Sequence, residues 1–176
     1  MGHAILQAKH IITDDFFGII LADDLILSEP GCLKQLLEIH EKTQSSVLGV
    51  FSASENQVSN YGVISSKNID GIEKVDGIVE KPKPADAPSN LAVFGRYILS
   101  KDIFLNIEQT KPGLNNEIQL TDAIQDLISN QDVFALEFEG RRFDCGSKEG
   151  YISAIIDRAL SICLLYTSPS PRDISW

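Results

Sequence analysis

Apolar residues follow two rhythms along this chain. Three stretches are apolar with little interruption: Phe16 to Ala22, Ser46 to Phe51 and Leu91 to Leu99. Runs of this kind suit buried strands, and the first suits a strand covered on both faces, as in a parallel sheet. Val133 to Phe138 predicts a further strand. Elsewhere the spacing is helical. Leu33, Leu36, Leu37 and His40 share one face of a helix that runs to about Lys42, led in by Ser28-Glu29-Pro30-Gly31. Ile152, Ile155, Ile156 and Leu160 share a face of a last helix from Glu149. Shorter helices are predicted over Met1–His10, Lys101–Ile107 and Glu117–Ser129. Strands are predicted from Asn60 to Ile64 and from Val75 to Pro82, with a hairpin turn at Asn68-Ile69-Asp70-Gly71-Ile72 and a proline-rich loop from Pro82 to Pro88. Strand and helix alternate around a hairpin-rich insertion, which predicts an α/β domain with a mixed sheet.

The chemistry gathers at element ends. Asp23 and Asp24 arrive together where the first long strand should leave the core. In open α/β sheets ligands bind outside the carboxyl ends of the strands, and a carboxylate pair there suits a divalent metal and, through it, a phosphate. The alternative is that the pair only ends the strand and caps a turn. Glu80-Lys81 closes another strand before Pro82 and reads either as a sugar-phosphate clamp or as a solvated ion pair. Asp144, ahead of Cys145-Gly146, reads as a ligand or as a helix cap. Gly62 permits a close backbone approach.

Composition narrows the classes. The chain has 176 residues, 43% of them hydrophobic and 23% charged, enough for one domain with a core. A net charge of −10 argues against a nucleic-acid or anionic-membrane surface. Cys32, Cys145 and Cys163 are widely spaced, with neither a CxxC pair nor zinc spacing, and fit a reduced, cytoplasmic setting. No apolar run is long enough to span a membrane. Leu164 to Trp176 breaks the helical pattern and has no hydrophobic period. It resembles translated sequencing-adapter read-through and is expected to be a non-native, poorly packed tail.

In order along the chain, Gly2-His3-Ala4, Leu21-Ala22-Asp23-Asp24, Tyr61-Gly62-Val63, Val79-Glu80-Lys81-Pro82, Ser89 to Tyr97, Asn116 to Ile124 and Asp144-Cys145-Gly146 together resemble the sugar-nucleotide pyrophosphorylase family. Ser89–Tyr97 and Glu117–Ala123 are the segments most similar to its bacterial UTP–glucose-1-phosphate uridylyltransferase branch. The resemblance covers about residues 2 to 160. It implies a Rossmann-like nucleotidyltransferase mixed sheet flanked by helices, with the N-terminal strands missing. Residues 1–163 would be a partial nucleotidyltransferase domain and residues 164–176 the tail. The implied reaction makes UDP-glucose and pyrophosphate from UTP and glucose 1-phosphate, in an enzyme that is a homo-oligomer at full length.

The resemblance also implies roles. Asp23 and Asp144 match the residues that bind Mg2+. Glu80 matches the acid on the glucose hydroxyls, Lys81 the lysine on the sugar phosphate, and Gly62 the glycine against the sugar. Asn90 and Arg96 are carried over as substrate-binding positions. Glu117 and Asp122 belong to the family pattern, with capping and helix-surface contacts as the alternative. The family's glycine-rich loop with arginine and lysine, which cradles the nucleotide triphosphate, has no counterpart here. The expectation is therefore a C-terminal part of the enzyme, inactive and aggregation-prone alone. Two other readings stay open: a thymidylyl- or adenylyltransferase using dTTP or ATP, and a non-catalytic sugar-phosphate-binding module.

Overall fold

A computed structural model describes residues 1–113 and 117–163. In chain order the elements are α1 (Gly2–Leu6), β1 (Phe16–Ile20), β2 (Asp24–Leu27), α2 (Cys32–Thr43), β3 (Ser46–Ser52), β4 (Gly62–Ile69), β5 (Ile72–Glu80), β6 (Leu91–Ser100), α3 (Ile103–Gln109), α4 (Leu120–Asn130), β7 (Val133–Glu137), β8 (Arg141–Asp144) and α5 (Lys148–Cys163). The predicted tail, residues 164–176, lies outside the described residues.

Six strands form a mixed sheet in the order β1-β6-β3-β7-β5-β4, and β4 also touches β6. Among the paired neighbours of the described residues, β3 and β7 are parallel and the other pairs antiparallel. The period-2 rule separates the two faces. Val47 and Ile98, a cross-strand pair, face Cys32 and Leu36 of α2. Their neighbours Leu48, Tyr97 and Leu99 face Ile103, Ile107, Ile124 and Leu127 of α3 and α4. The sheet is thus the middle of three layers. Each fully buried Leu or Ile here, such as Leu36 or Ile124, stabilises by about 2 kcal/mol through its removal from water.

The β4–β5 hairpin turns at Asp70-Gly71, both with positive φ (52° and 84°). That is the Asp-Gly signature of a turn whose twist matches its strands. A second feature has larger consequences. Between Leu48 and Val50 the β3–β6 register shifts, so that Phe94-Gly95-Arg96 bulges from the ladder opposite Gly49. The bulge turns the Gly95 backbone toward the end of β1, where Leu21 N–H donates to Gly95 O at 2.9 Å.

Three expectations are corrected. The first long strand is not covered on both faces. β1 is an edge strand paired antiparallel with β6, and Ile20 is 58% exposed. The chain does not simply leave the sheet after it either. Asp24 opens β2, which pairs antiparallel with β8 as a separate two-stranded ribbon. The predicted apolar face of α5 exists but covers little among the described residues: Ile152, Ile155, Ile156 and Leu160 are each more than half exposed.

Candidate active site

A cavity of about 280 Å³ opens between the ribbon, the start of the β4–β5 hairpin and the β6 bulge. Asp23, Asp144, Gly62, Glu80 and Lys81 all line it. They come from segments far apart in sequence, and the topology gathers them at two ends.

At one end stand the carboxylates, and the adjacent pair Asp23-Asp24 divides its labour. Asp24 is 7% exposed and both its oxygens are engaged. Oδ1 accepts from Arg142 Nε at 2.5 Å and Oδ2 from Gly95 N–H at 2.8 Å. A Cβ at Gly95 would lie 2.5 Å from Leu21 Cβ and 2.7 Å from Asp24 Oδ2, so only glycine fits there. Asp24 is therefore a structural anchor. Asp23 is exposed, and its backbone carbonyl accepts from Cys145 N–H at 2.7 Å, tying it to the segment after Asp144. A Cβ on Gly146 would sit 3.1 Å from Asp144 Oδ1 and 3.3 Å from Asp23 Oδ2. The missing side chain thus leaves a cradle between the two carboxylates.

That donor set fits a magnesium-like ion. Among the described residues no three His, Cys, Asp or Glu side chains cluster. Two carboxylates with open space beside them suit a hard cation that takes its remaining ligands from phosphate oxygens and water.

At the other end Glu80 pairs across the hairpin with Gly62. Thr121 Oγ1 donates to Glu80 Oε2 at 2.9 Å, and Lys81 Nζ lies 3.7 Å from Glu80 Oε1. A Cβ on Gly62 would meet Thr121 Cγ2 at 2.6 Å, so glycine keeps this floor open. Lys81 has φ +46°, a left-handed conformation that costs about 1 kcal/mol for a non-glycine residue. Its N–H donates to Tyr61 O at 3.0 Å, which holds the turn. Tyr97 also lines the cavity, and burial, with the Asp24 and Glu80 charges adding, pushes its phenol well above the ordinary range. It stays neutral at physiological pH.

Arg96 and Asn90 do not line the cavity. The Arg96 guanidinium donates to three backbone carbonyls, Leu21 at 3.2 Å, Gly95 at 2.7 Å and Asp24 at 2.6 Å. It braces the turn that carries Asp23. Asn90 is exposed just before β6, and its carbonyl accepts from Ala53 N–H at 2.8 Å.

Sequence reasoning passed over Arg142. Its guanidinium is 4.6 Å from the Phe51 ring centroid and 5.0 Å from that of Tyr61. Burial alone would lower its pKa, but the Tyr61 hydrogen bond and the Asp24 charge raise it. The available signal was its place two residues before Asp144, on the same face of a strand. Gly95 and Gly146 lie in segments that carry the resemblance, but their roles show only in their neighbours.

A fold with this element order and a cavity with this donor set define a class. The chain belongs to the nucleotidyl transferase family, whose family model matches residues 1–159. Within that family it is similar to UTP–glucose-1-phosphate uridylyltransferases: 47% identical over 157 residues to the one from Pseudomonas aeruginosa PAO1, covering 88% of this chain and 56% of that protein. It is 43% identical over 166 residues to uridylyltransferase 2 of Streptococcus pyogenes serotype M3, covering 91% of this chain and 56% of that protein. A crystal structure of UDP-glucose pyrophosphorylase complexed with UDP-glucose superposes with a TM-score of 0.87 at 44% identity, over 92% of this chain and 62% of that one. The chain thus spans little more than half the length of these curated relatives.

Proposed function

We propose that the protein carrying this chain joins UTP and glucose 1-phosphate into UDP-glucose and pyrophosphate. One observation supports this most: a single cavity holds a two-carboxylate cradle at one end and a Glu-Lys clamp over a glycine floor at the other. The relatives of similar sequence bear the uridylyltransferase name, and one neighbour of similar structure holds UDP-glucose.

In this reading Glu80 accepts hydrogen bonds from glucose hydroxyls, and Thr121 keeps its carboxylate aimed. Lys81 neutralises the sugar phosphate. Gly62 lets the sugar ring approach the backbone. A phosphate oxygen of glucose 1-phosphate attacks the α-phosphorus of UTP. The new P–O bond forms as the bond to the β-phosphate oxygen breaks, and pyrophosphate departs with the electron pair. No side chain becomes covalently attached, so positioning and charge neutralisation carry the catalysis. A Mg2+ ion held by Asp23 and Asp144 would supply charge stabilisation on the phosphates.

The test is pyrophosphate release by the complete gene product from glucose 1-phosphate with UTP, dTTP or ATP, with and without Mg2+. Release that requires Mg2+ and favours UTP at least about tenfold, a 1.4 kcal/mol discrimination, supports the reading. Binding of glucose 1-phosphate with no release from any nucleotide overturns it in favour of a binding module.

A further inference from the structure

The carboxylate end of the cavity contains a chain of side chains that the reaction itself does not require. Asp24, buried, grips Arg142 Nε at 2.5 Å. Arg142 Nη1 donates to the Tyr61 hydroxyl at 3.3 Å. That hydroxyl in turn donates to Asp144 Oδ2 at 3.3 Å. The opposite oxygen, Oδ1, accepts from Gly146 N–H at 3.1 Å and is the one that faces the cradle shared with Asp23. The two hydrogen bonds therefore set the rotation of the Asp144 carboxylate. Tyr61 is held in turn: its ring stands edge-on to Phe51 at 5.1 Å, and the Arg142 guanidinium lies over it at 5.0 Å.

We propose that Tyr61 is a positioning residue for Asp144, held in place by Arg142, and that the pair presents Oδ1 to the metal. This rests on the metal-assisted reading above. The direction of the relay is set by chemistry. Arg142 has no acceptor, so the Tyr61 oxygen accepts from it and its single proton is left for Asp144. A phenol so polarised by a guanidinium is a better donor than one facing water. The bond takes Oδ2 of Asp144 out of competition for an ion and leaves Oδ1 as the oxygen facing the cradle. Hydrogen-bond partners of metal ligands commonly matter about 10-fold or more for metal affinity.

The experiment titrates Mn2+, an EPR-visible stand-in for Mg2+, into the complete gene product with glucose 1-phosphate present, alongside thermal melts without metal. Tyr61→Phe keeps the ring and removes only the hydroxyl. The expected result is a Mn2+ affinity lowered about tenfold with a metal-free melting midpoint close to wild type. Arg142→Lys, which keeps a cation beside Asp24 but cannot fork to Tyr61, is expected to weaken Mn2+ about threefold and serves if Tyr61→Phe misfolds. Affinity within twofold of wild type in the folded variants overturns the positioning role, provided that Asp23→Asn and Asp144→Asn abolish binding. If those two variants bind Mn2+ as wild type does, the metal-assisted reading fails and the positioning role falls with it.

Discussion

The two ends of the cavity are built on different principles. The clamp end sits on the long β4–β5 hairpin, whose strands run eight and nine residues and lean on α4. Its functional groups stand on a hydrophobic base: Val63 and Ile64 are fully buried beneath Gly62 and Glu80. The carboxylate end sits on a ribbon of two four-residue strands, too short to be stable alone. Ile26 is only partly buried against the α2 cluster, and polar links add to that thinner base. The Gly95 backbone, Arg96 and Tyr61 tie the ribbon to the rest of the domain through four hydrogen bonds, and Arg142–Asp24 joins its two strands. The cavity thus has one end set by packing and the other by a charge network. The network end should be much more sensitive to single polar substitutions.

That contrast can be broken most severely at Arg142. Arg142→Met leaves Asp24 buried beside an apolar chain, and a loss of about 4 kcal/mol in urea unfolding is expected. Asp144→Asn follows: metal-dependent pyrophosphate release should fall about 1,000-fold, several kcal/mol of lost charge stabilisation, with the unfolding midpoint little changed. At the packed end Gly62→Ala forces a methyl against Thr121 and should cost about 2 kcal/mol in the same unfolding assay. Thr121→Val keeps the shape but removes the donor to Glu80. It should raise KM for glucose 1-phosphate about fivefold, near 1 kcal/mol, and leave kcat nearly unchanged.

The smallest effect lies outside both ends. The Lys101 hydrogen bond and charge lower the Asp15 pKa, and the same pair raises that of Lys101. The carboxylate's contribution is therefore complete above its ordinary pKa and lost as pH falls through its lowered one. The lysine's is complete below its ordinary pKa and lost as pH rises through its raised one. Because both groups are solvent-exposed, Asp15→Asn should move the melting midpoint barely at all, and less at high salt.

Much of this was legible in the sequence, for physical reasons. The runs at Ser46–Phe51 and Leu91–Leu99 are buried strands because their apolar side chains cover both faces, and the pattern says so directly. Asp70-Gly71 declared its turn by composition. Asp23, Gly62, Glu80, Lys81 and Asp144 could be picked out because they end or begin elements, and the fold brings all five to one cavity. The failures share a cause. Whether Asp23 or Asp24 stayed free depended on Gly95, some 70 positions away, turning its N–H toward one of them. That follows from a bulge in β6 that no local pattern announces. The antiparallel edge position of β1 is likewise a property of its partner β6, and an apolar run reads the same in either setting. Arg96 was carried over as a substrate position because it lies in a segment that resembles the family's; in the structure its guanidinium donates to three nearby carbonyls.

The division between Asp23 and Asp24 is the central claim, and one thermal-melt series tests it. Asp23→Asn and Asp24→Asn would be melted with and without Mn2+ and glucose 1-phosphate, since ligand binding raises the midpoint of a competent site. Asp23→Asn should melt with wild type in the absence of metal and show no metal-induced rise. Asp24→Asn should melt well below wild type before any metal is added. If Asp23→Asn keeps the full metal-induced rise, or if Asp24→Asn melts with wild type, the assignment of one carboxylate to the ion and the other to the fold is wrong.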